Sequence, residues 1–191
     1  FARELGSETD LETMLESVAD RLVRTLSVPR VAFFLAVEGE AGFRLHKIFG
    51  APGYGPEPPA GAGELDLSFL SAAPGVSNLF FEQTRRLLDA PSLGWPPSVR
   101  KTIAALDLTY YLPCTVRGRT IAYLGVSRTD KGDFLSSEDL ELLVTLSGYV
   151  AIAVENSRLY HSLRRKVEEN ERLREFNENI VESINVGILA A

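Results

Sequence analysis

The chain offers few residue types that could carry out covalent or acid–base chemistry. It has two histidines, His46 and His161, and a single cysteine, Cys114, among 191 residues. Zinc sites need about three or four clustered ligands, and neither paired cysteines nor a His-Glu-x-x-His pattern is present. A phosphate-binding glycine loop that ends in Lys and Ser or Thr is also missing from the sequence. We therefore predict that this chain has no catalytic residues and holds no metal.

Each of the three candidate residues has an ordinary structural explanation. Cys114 stands between apolar neighbours in a predicted strand, which favours a small buried side chain over a reactive thiol. His46 falls on the polar phase of an alternating strand and is predicted to face solvent. His161 lacks the acidic neighbour and the following proline of a phospho-accepting histidine. We expect it to be solvated or interfacial.

Composition narrows the classes of partner and compartment. A net charge of −6 and a pI near 5.1 argue against a nucleic-acid-binding surface. The longest apolar run of the last helix, 144–154, is far shorter than the ~20 residues that span a bilayer, so no membrane contact is expected. One cysteine allows no intramolecular disulfide, which suits a reducing cytoplasm. The chain lacks an initiator Met and ends in an apolar run, so we expect a fragment of a longer protein.

Runs of neighbouring strands, rather than strict alternation with helices, predict an antiparallel sheet in an α+β domain. The predicted helices are 9–26, 64–73, 82–88, 98–106 and 136–183. The predicted strands are 31–37, 43–49, 76–81, 109–117 and 120–128. Three helix starts carry cap residues, namely Thr9 with Glu12, Ser98 alone, and Ser136 with Asp139.

The last helix is the longest uninterrupted pattern in the chain. No proline lies within 136–183 and Gly148 is its only glycine, so nothing forces a break. Its first half carries a broad apolar face that is predicted to pack on the domain, including Val144, Val150 and Ile152.

From Asn156 onward, spacings of three and four residues predict the seam of a parallel homodimeric coiled coil. The predicted seam residues are Leu159, Leu163, Val167, Asn170, Leu173 and Ile180. Asparagine on the seam weakens the coil and fixes its register, and the phase breaks near Asn170. A lone solvated helix is the alternative.

Three stretches of the chain resemble a GAF domain. They are the first helix at 9–15, the strands at 112–119 and 121–126, and the last helix at 133–143 and 151–160. The resemblance implies a central antiparallel sheet, with the first and last helices on one face and a small-molecule pocket on the other.

The resemblance also divides the chain. It gives a lead-in at 1–8, a GAF domain at 9–160 and a signalling-helix linker at 161–179, and residues 180–191 resemble the start of a PAS domain. That order is similar to the input half of bacterial sensor histidine kinases. It implies a sensory module that passes a signal along a dimeric helix.

Six residues are predicted to line the ligand pocket: Phe33, Leu35, Trp95, Tyr111, Cys114 and Tyr123. The Gly- and Pro-rich loops at 50–63 and 91–97 would form its lid. The open alternative is a ligand-free dimerisation module in which the same aromatic residues fill the core. The sequence names neither a ligand nor a cofactor.

Two ligand-specific or enzymatic GAF types fit poorly. Cyclic-nucleotide-binding members carry Asn-Lys ahead of Phe-x-x-x-Asp-Glu, whereas here Asp130-Lys131 precedes Phe134 and the acids are reversed as Glu138-Asp139. Members that reduce methionine sulfoxide use several cysteines, and this chain has one.

Overall fold

The computed structural model describes residues 6–39, 42–50, 65–71, 79–80 and 94–189. Side chains are described from Asp10 to Val181 within these ranges, and at Ile184. The helices are α1 Gly6–Leu26, α2 Ser68–Ser71, α3 Pro97–Leu106 and α4 Ser137–Leu189. The strands are β1 Arg30–Ala36, β2 Phe43–Gly50, β3 Leu79–Phe80, β4 Tyr110–Val116 and β5 Arg119–Val126. The predicted helix at 82–88, residues 51–63 of the first predicted lid loop and residues 91–93 of the second lie outside these residues.

The strands form one antiparallel sheet in the order β2-β1-β5-β4-β3. β4 and β5 are joined by Arg117 and Gly118, both with positive φ, as a two-residue hairpin loop requires. The predicted α+β fold with a central antiparallel sheet is confirmed.

Because side chains alternate along a strand, the sheet separates two apolar cores. One core packs β-strand residues such as Phe33 and Leu124 against α1 and α4, which therefore share a face as predicted. The other packs Phe34 and Tyr111 against the segment around α2 and against α3. The chain divides into two compact units, Phe1–Glu155 and Asn156–Ala191. Both cores lie in the first unit.

A β-bulge interrupts the alternation in β2. Phe33 pairs with Lys47 and Phe34 with Leu45, so His46 has no opposing residue in β1. Beyond this point the parity of the strand is reversed, and His46 and the adjacent Lys47 both reach Glu12 on α1. The prediction that His46 faces solvent is therefore wrong, because a uniform alternation was assumed.

The three predicted helix caps have different outcomes. The Ser136 hydroxyl accepts from the Asp139 N–H at 3.2 Å, and the Asp139 carboxylate accepts from the Ser136 N–H at 2.9 Å, which confirms that capping box. The Thr9 and Ser98 caps are wrong, because α1 already begins at Gly6 and α3 at Pro97. Pro97 suits the first helical position, which needs no donor.

α4 is continuous over 53 residues from Ser137 to Leu189. In the first unit it buries Leu143, Val150 and Val154, whereas Val144 and Ile152 are 53% and 57% exposed. The prediction that these two residues pack on the domain is therefore wrong. Among the residues described, no helix is long and apolar enough to cross a membrane.

Candidate functional site

The six predicted pocket residues lie on opposite faces of the sheet. Phe33 and Cys114 are fully buried in the core beneath α1 and α4, and Leu35 packs at its edge. Tyr111, Tyr123 and Trp95 belong to the other core. The structure therefore does not bring the six together, since residues of opposite strand parity point to opposite faces.

The three aromatic residues on the α3 face are packed against neighbouring side chains. The Tyr111 ring is fully buried and lies 5.3 Å from the ring centre of Phe69, edge to face. The Tyr123 hydroxyl donates to the Leu70 carbonyl at 3.1 Å. Burial raises the pKa of Tyr111, and the negative charge of Asp107 adds to that rise. These three aromatic residues therefore belong to, or pack against, the core on this face.

Cys114 is inaccessible in the other core. Burial raises the pKa of its thiol to about 12, although a hydrogen bond from the Leu124 backbone acts in the opposite direction. A thiol nucleophile reacts as the thiolate, so this environment opposes a reductase mechanism at Cys114. In the described part of the chain, no cluster of three His, Cys, Asp or Glu side chains could hold a metal ion.

An apolar groove lies on the face of the sheet that carries α4. Its volume is about 360 Å³, and it runs between the end of the sheet and the first turns of α4. It is lined by Leu79, Phe80, Tyr110, Leu112, Phe134, Leu135, Leu140 and Val144. Tyr110, Leu112 and Leu135 form a buried floor, whereas Phe80, Phe134 and Val144 are about half exposed. Sequence reasoning missed this groove. The sequence signal that could have revealed it is the apolar stripe on α4, which is wider than one packing face needs.

Two polar groups hold the groove in place. The Tyr110 hydroxyl accepts from the Leu135 N–H at 2.9 Å and so ties the segment before α4 to β4. The Arg128 guanidinium lies over the Phe134 ring, 4.1 Å from its centre. Phe134 in turn contacts Phe80, with ring centres 5.7 Å apart. A positive charge is thus held against one apolar wall of the groove.

A charged cluster joins α1 to β2, and sequence reasoning did not find it. Glu12 Oε1 lies 2.6 Å from His46 Nε2, and Glu12 Oε2 accepts from Lys47 Nζ at 2.7 Å. Lys47 also donates to Glu16 at 3.0 Å. Burial alone would raise the pKa of Glu12, but the hydrogen bonds from Lys47 and His46 outweigh it and lower the pKa. The hydrogen bonds to Glu12 and Glu16 raise the pKa of Lys47.

The outward side of α4 within the first unit carries large apolar residues. Tyr149 is 61% exposed and Ile152 57% exposed. Ile152 stands nine positions after the buried Leu143, which places it about 180° around the helix. In the second unit, the predicted seam residues are also exposed, among them Leu159 at 57% and Leu163 at 64%. Exposed apolar residues of this size and number mark interaction surfaces.

Comparison with known proteins gives one family. The family model described as "GAF domain" matches residues 8–155. GAF3 from Slr1393 of Synechocystis sp. PCC6803, in its photoproduct state, is 13% identical with a TM-score of 0.61 over 80% of this chain and 98% of that chain.

Two other solved structures share the fold. A domain assigned to a two-component sensor histidine kinase protein of Sinorhizobium meliloti 1021 is 13% identical with a TM-score of 0.52, over 80% of this chain and 96% of that chain. Residues 122 to 287 of a methyl-accepting chemotaxis protein are 17% identical with a TM-score of 0.55, over 78% and 92%. No curated protein matches the chain.

Proposed function

Because the chain belongs to the GAF domain family, we propose that it is the sensory module of a cytoplasmic signal-transduction protein, most simply a histidine kinase. In this proposal the module performs no catalysis. It passes a signal along α4, and the α4 helices of two copies of the chain pair in parallel. The similarity in fold to domains of a sensor histidine kinase and a chemotaxis protein supports this class.

The observation that carries the proposal is that α4 is one continuous helix whose first part is buried in the GAF unit and whose remainder continues past it. One helix buries Leu143, Val150 and Val154 in the GAF unit and continues without interruption to Leu189. A helix that is packed at one end and continues beyond the domain can pass a displacement of the domain to whatever follows it. Residues 161–179 are the linker in this proposal, and 180–191 the start of a PAS domain.

The exposed apolar residues extend the predicted seam backward by one heptad. Tyr149 and Ile152 precede Asn156 and Leu159 by seven residues each. With the later seam residues they continue the spacing of three and four that a two-stranded coil requires. Leu163, Leu173 and Ile180 are between 40% and 64% exposed, so the single chain leaves this apolar surface uncovered. A second copy would cover it.

Polar residues on the same seam suit a helix that must change state. Asn156, Asn170 and Asn177 occupy the same heptad position, seven or fourteen residues apart. Asparagine at such positions fixes the register of a dimer and lowers its stability. A weakly held but register-specific pair is the arrangement that a signal of a few kcal/mol can shift.

Light scattering of the 191-residue chain at several micromolar concentrations tests the dimer. We expect a dimer that the double substitution Ile152→Asp and Leu159→Asp converts to a monomer, because paired charges would then be buried on the seam. Val144→Asp is the matched control, since Val144 is also exposed and apolar but lies outside the predicted seam. A monomeric wild-type chain, or equal loss of dimer in the control, contradicts the proposal.

A second candidate function is a dimerisation module without a ligand. The burial of Tyr111 and Tyr123 favours it, because these predicted pocket residues pack against other side chains of the core on that face. Native mass spectrometry of the protein purified from cells separates the two functions. A copurifying small molecule supports a ligand-dependent sensor, and its consistent absence supports the structural module.

A further inference from the structure

We propose that the groove beside α4 binds a small amphipathic carboxylate, with its apolar body on the groove floor and its carboxylate on Arg128. This site lies on the face of the sheet that carries α1 and α4. It therefore differs from the pocket that the sequence placed on the opposite face. The binding site stands on geometry alone, and only its effect on signalling rests on the proposed function.

The shape and lining of the groove set the apolar part of the ligand. A volume of about 360 Å³ falls at the lower end of the ~300–1,000 Å³ typical of small-molecule sites. The lining comes from apolar and aromatic side chains, with buried Leu112 and Leu135 beneath and half-exposed Phe80 and Phe134 at the sides. An acyl chain or a single aromatic ring would remove the exposed apolar surface from water.

Arg128 sets the charged part of the ligand. Its guanidinium is held over the Phe134 ring at 4.1 Å, and its side chain makes no hydrogen bond or ion pair with any described residue. Asp130 and Asp133 follow on the same loop and are exposed, without an ion pair to Arg128 among the described residues. A planar guanidinium with unused donors matches a carboxylate through two parallel hydrogen bonds.

The same groove connects a bound ligand to the output helix. Leu140 and Val144 form its α4 wall, four residues apart in the first turns of the helix. The Tyr110 hydroxyl, which accepts from the Leu135 N–H, ties the segment just before α4 to β4 on the other side of the groove. A ligand that contacts both sides would favour one placement of the start of α4 relative to β4. Regulation by the ligand would then act on the helix directly.

Calorimetric titration with three probes of equal chain length tests the charge preference. Octanoate, octanol and octylamine are titrated into the complete 191-residue chain. We expect octanoate to bind at least about tenfold more tightly than octanol, since hydrogen bonds to a charged group are stronger than those to a neutral one. Octylamine should bind most weakly. Equal affinities for octanoate and octanol would overturn the assignment to Arg128.

Two substitutions and one control locate the site. Arg128→Gln should weaken octanoate about tenfold or more and leave octanol unchanged. Val144→Trp should fill the groove and weaken both probes, and half-exposed Val144 can accept the larger side chain without unfolding the domain. Arg165→Gln, which removes an exposed arginine outside the groove, should change neither affinity. An Arg128→Gln chain that binds octanoate as the wild type does would refute the proposal.

Methyl NMR separates this site from other occupants. Octanoate should shift the methyl signals of Leu112, Leu135, Leu140 and Val144. Shifts confined to Val99 and Leu106 would place the ligand on the opposite face and overturn the proposal. Groove shifts that depend on protein concentration without any probe would assign the groove to a second copy. Light scattering on the same samples keeps failure of the dimer distinct from failure of the ligand site.

Discussion

The close packing around Gly125 gives a quantitative prediction. A Cβ at this position in β5 would lie 2.7 Å from Leu108 Cδ1 and 3.0 Å from Phe34 Cε2. Both neighbours are fully buried, so neither can swing into solvent. Forcing a methyl group into such a core costs about 1–3 kcal/mol. We therefore expect Gly125→Ala to lower the free energy of unfolding by about that amount, mainly through strain at Leu108.

Thermal and urea unfolding of paired variants measure this effect. For a domain of about 150 residues, each kcal/mol corresponds to roughly 2–4 °C, so the melting temperature should fall by about 2–12 °C. Gly148→Ala is the matched control, because the corresponding Cβ in α4 meets nothing within 4 Å. That substitution should stabilise the protein by about 0.5–1 kcal/mol, since alanine favours a helix.

A double-mutant cycle identifies the cause. Leu108→Val shortens the side chain that blocks the new methyl group, and alone it should cost about 1 kcal/mol through lost packing. Combined with Gly125→Ala, it should cost less than the sum of the two single changes, with a coupling of at least about 0.5 kcal/mol. A neutral Gly125→Ala, or strict additivity in the cycle, would refute the argument from crowding.

Three further predictions concern the buried thiol, the α1–β2 cluster and the α4 cap. Because burial raises the pKa of Cys114 to about 12, the thiol should react with an aromatic disulfide reagent at the rate of unfolding, and fast reaction in the native protein would be inconsistent with this. Glu12→Gln should destabilise the protein by about 1 kcal/mol at neutral pH by weakening the bonds from His46 and Lys47. The Glu12 pKa is lowered from 4.5 on folding. The difference in stability between the wild type and the variant should therefore be fully present above pH 4.5 and disappear as the pH falls through the lowered pKa. Urea unfolding at several pH values measures it. Ser136→Ala should cost about 1 kcal/mol through loss of the capping box, and an unchanged urea midpoint would show that the cap is dispensable.

The general architecture could be predicted because its signals are local. Periodicity placed the central strands and the long helix, and the spacing of Ser136 and Asp139 identified the start of α4. The short elements were less certain. Of the predicted helix at 64–73, the described residues 65–67 are not helical and α2 begins at Ser68, because the Asp66 carboxylate accepts from the Ser68 N–H ahead of it.

The candidate site could not be predicted from sequence patterns, for a physical reason. Which face a strand residue occupies depends on register, and the six predicted pocket residues were chosen by type and not by parity. The groove combines side chains far apart in sequence, such as Phe80 and Val144, whose proximity only the fold establishes. The contacts of Glu12 depend on the bulge at His46, and no local sequence pattern indicates a bulge of this kind.

The bulge in β2 has a consequence for how the protein behaves in solution. β2 is an outer strand of the sheet, and outer strands can recruit strands from other molecules. The irregular residue at His46 and the lysine beside it interrupt the regular row of backbone groups that an incoming strand would need. The feature that anchors Glu12 therefore also protects this border of the sheet against aggregation.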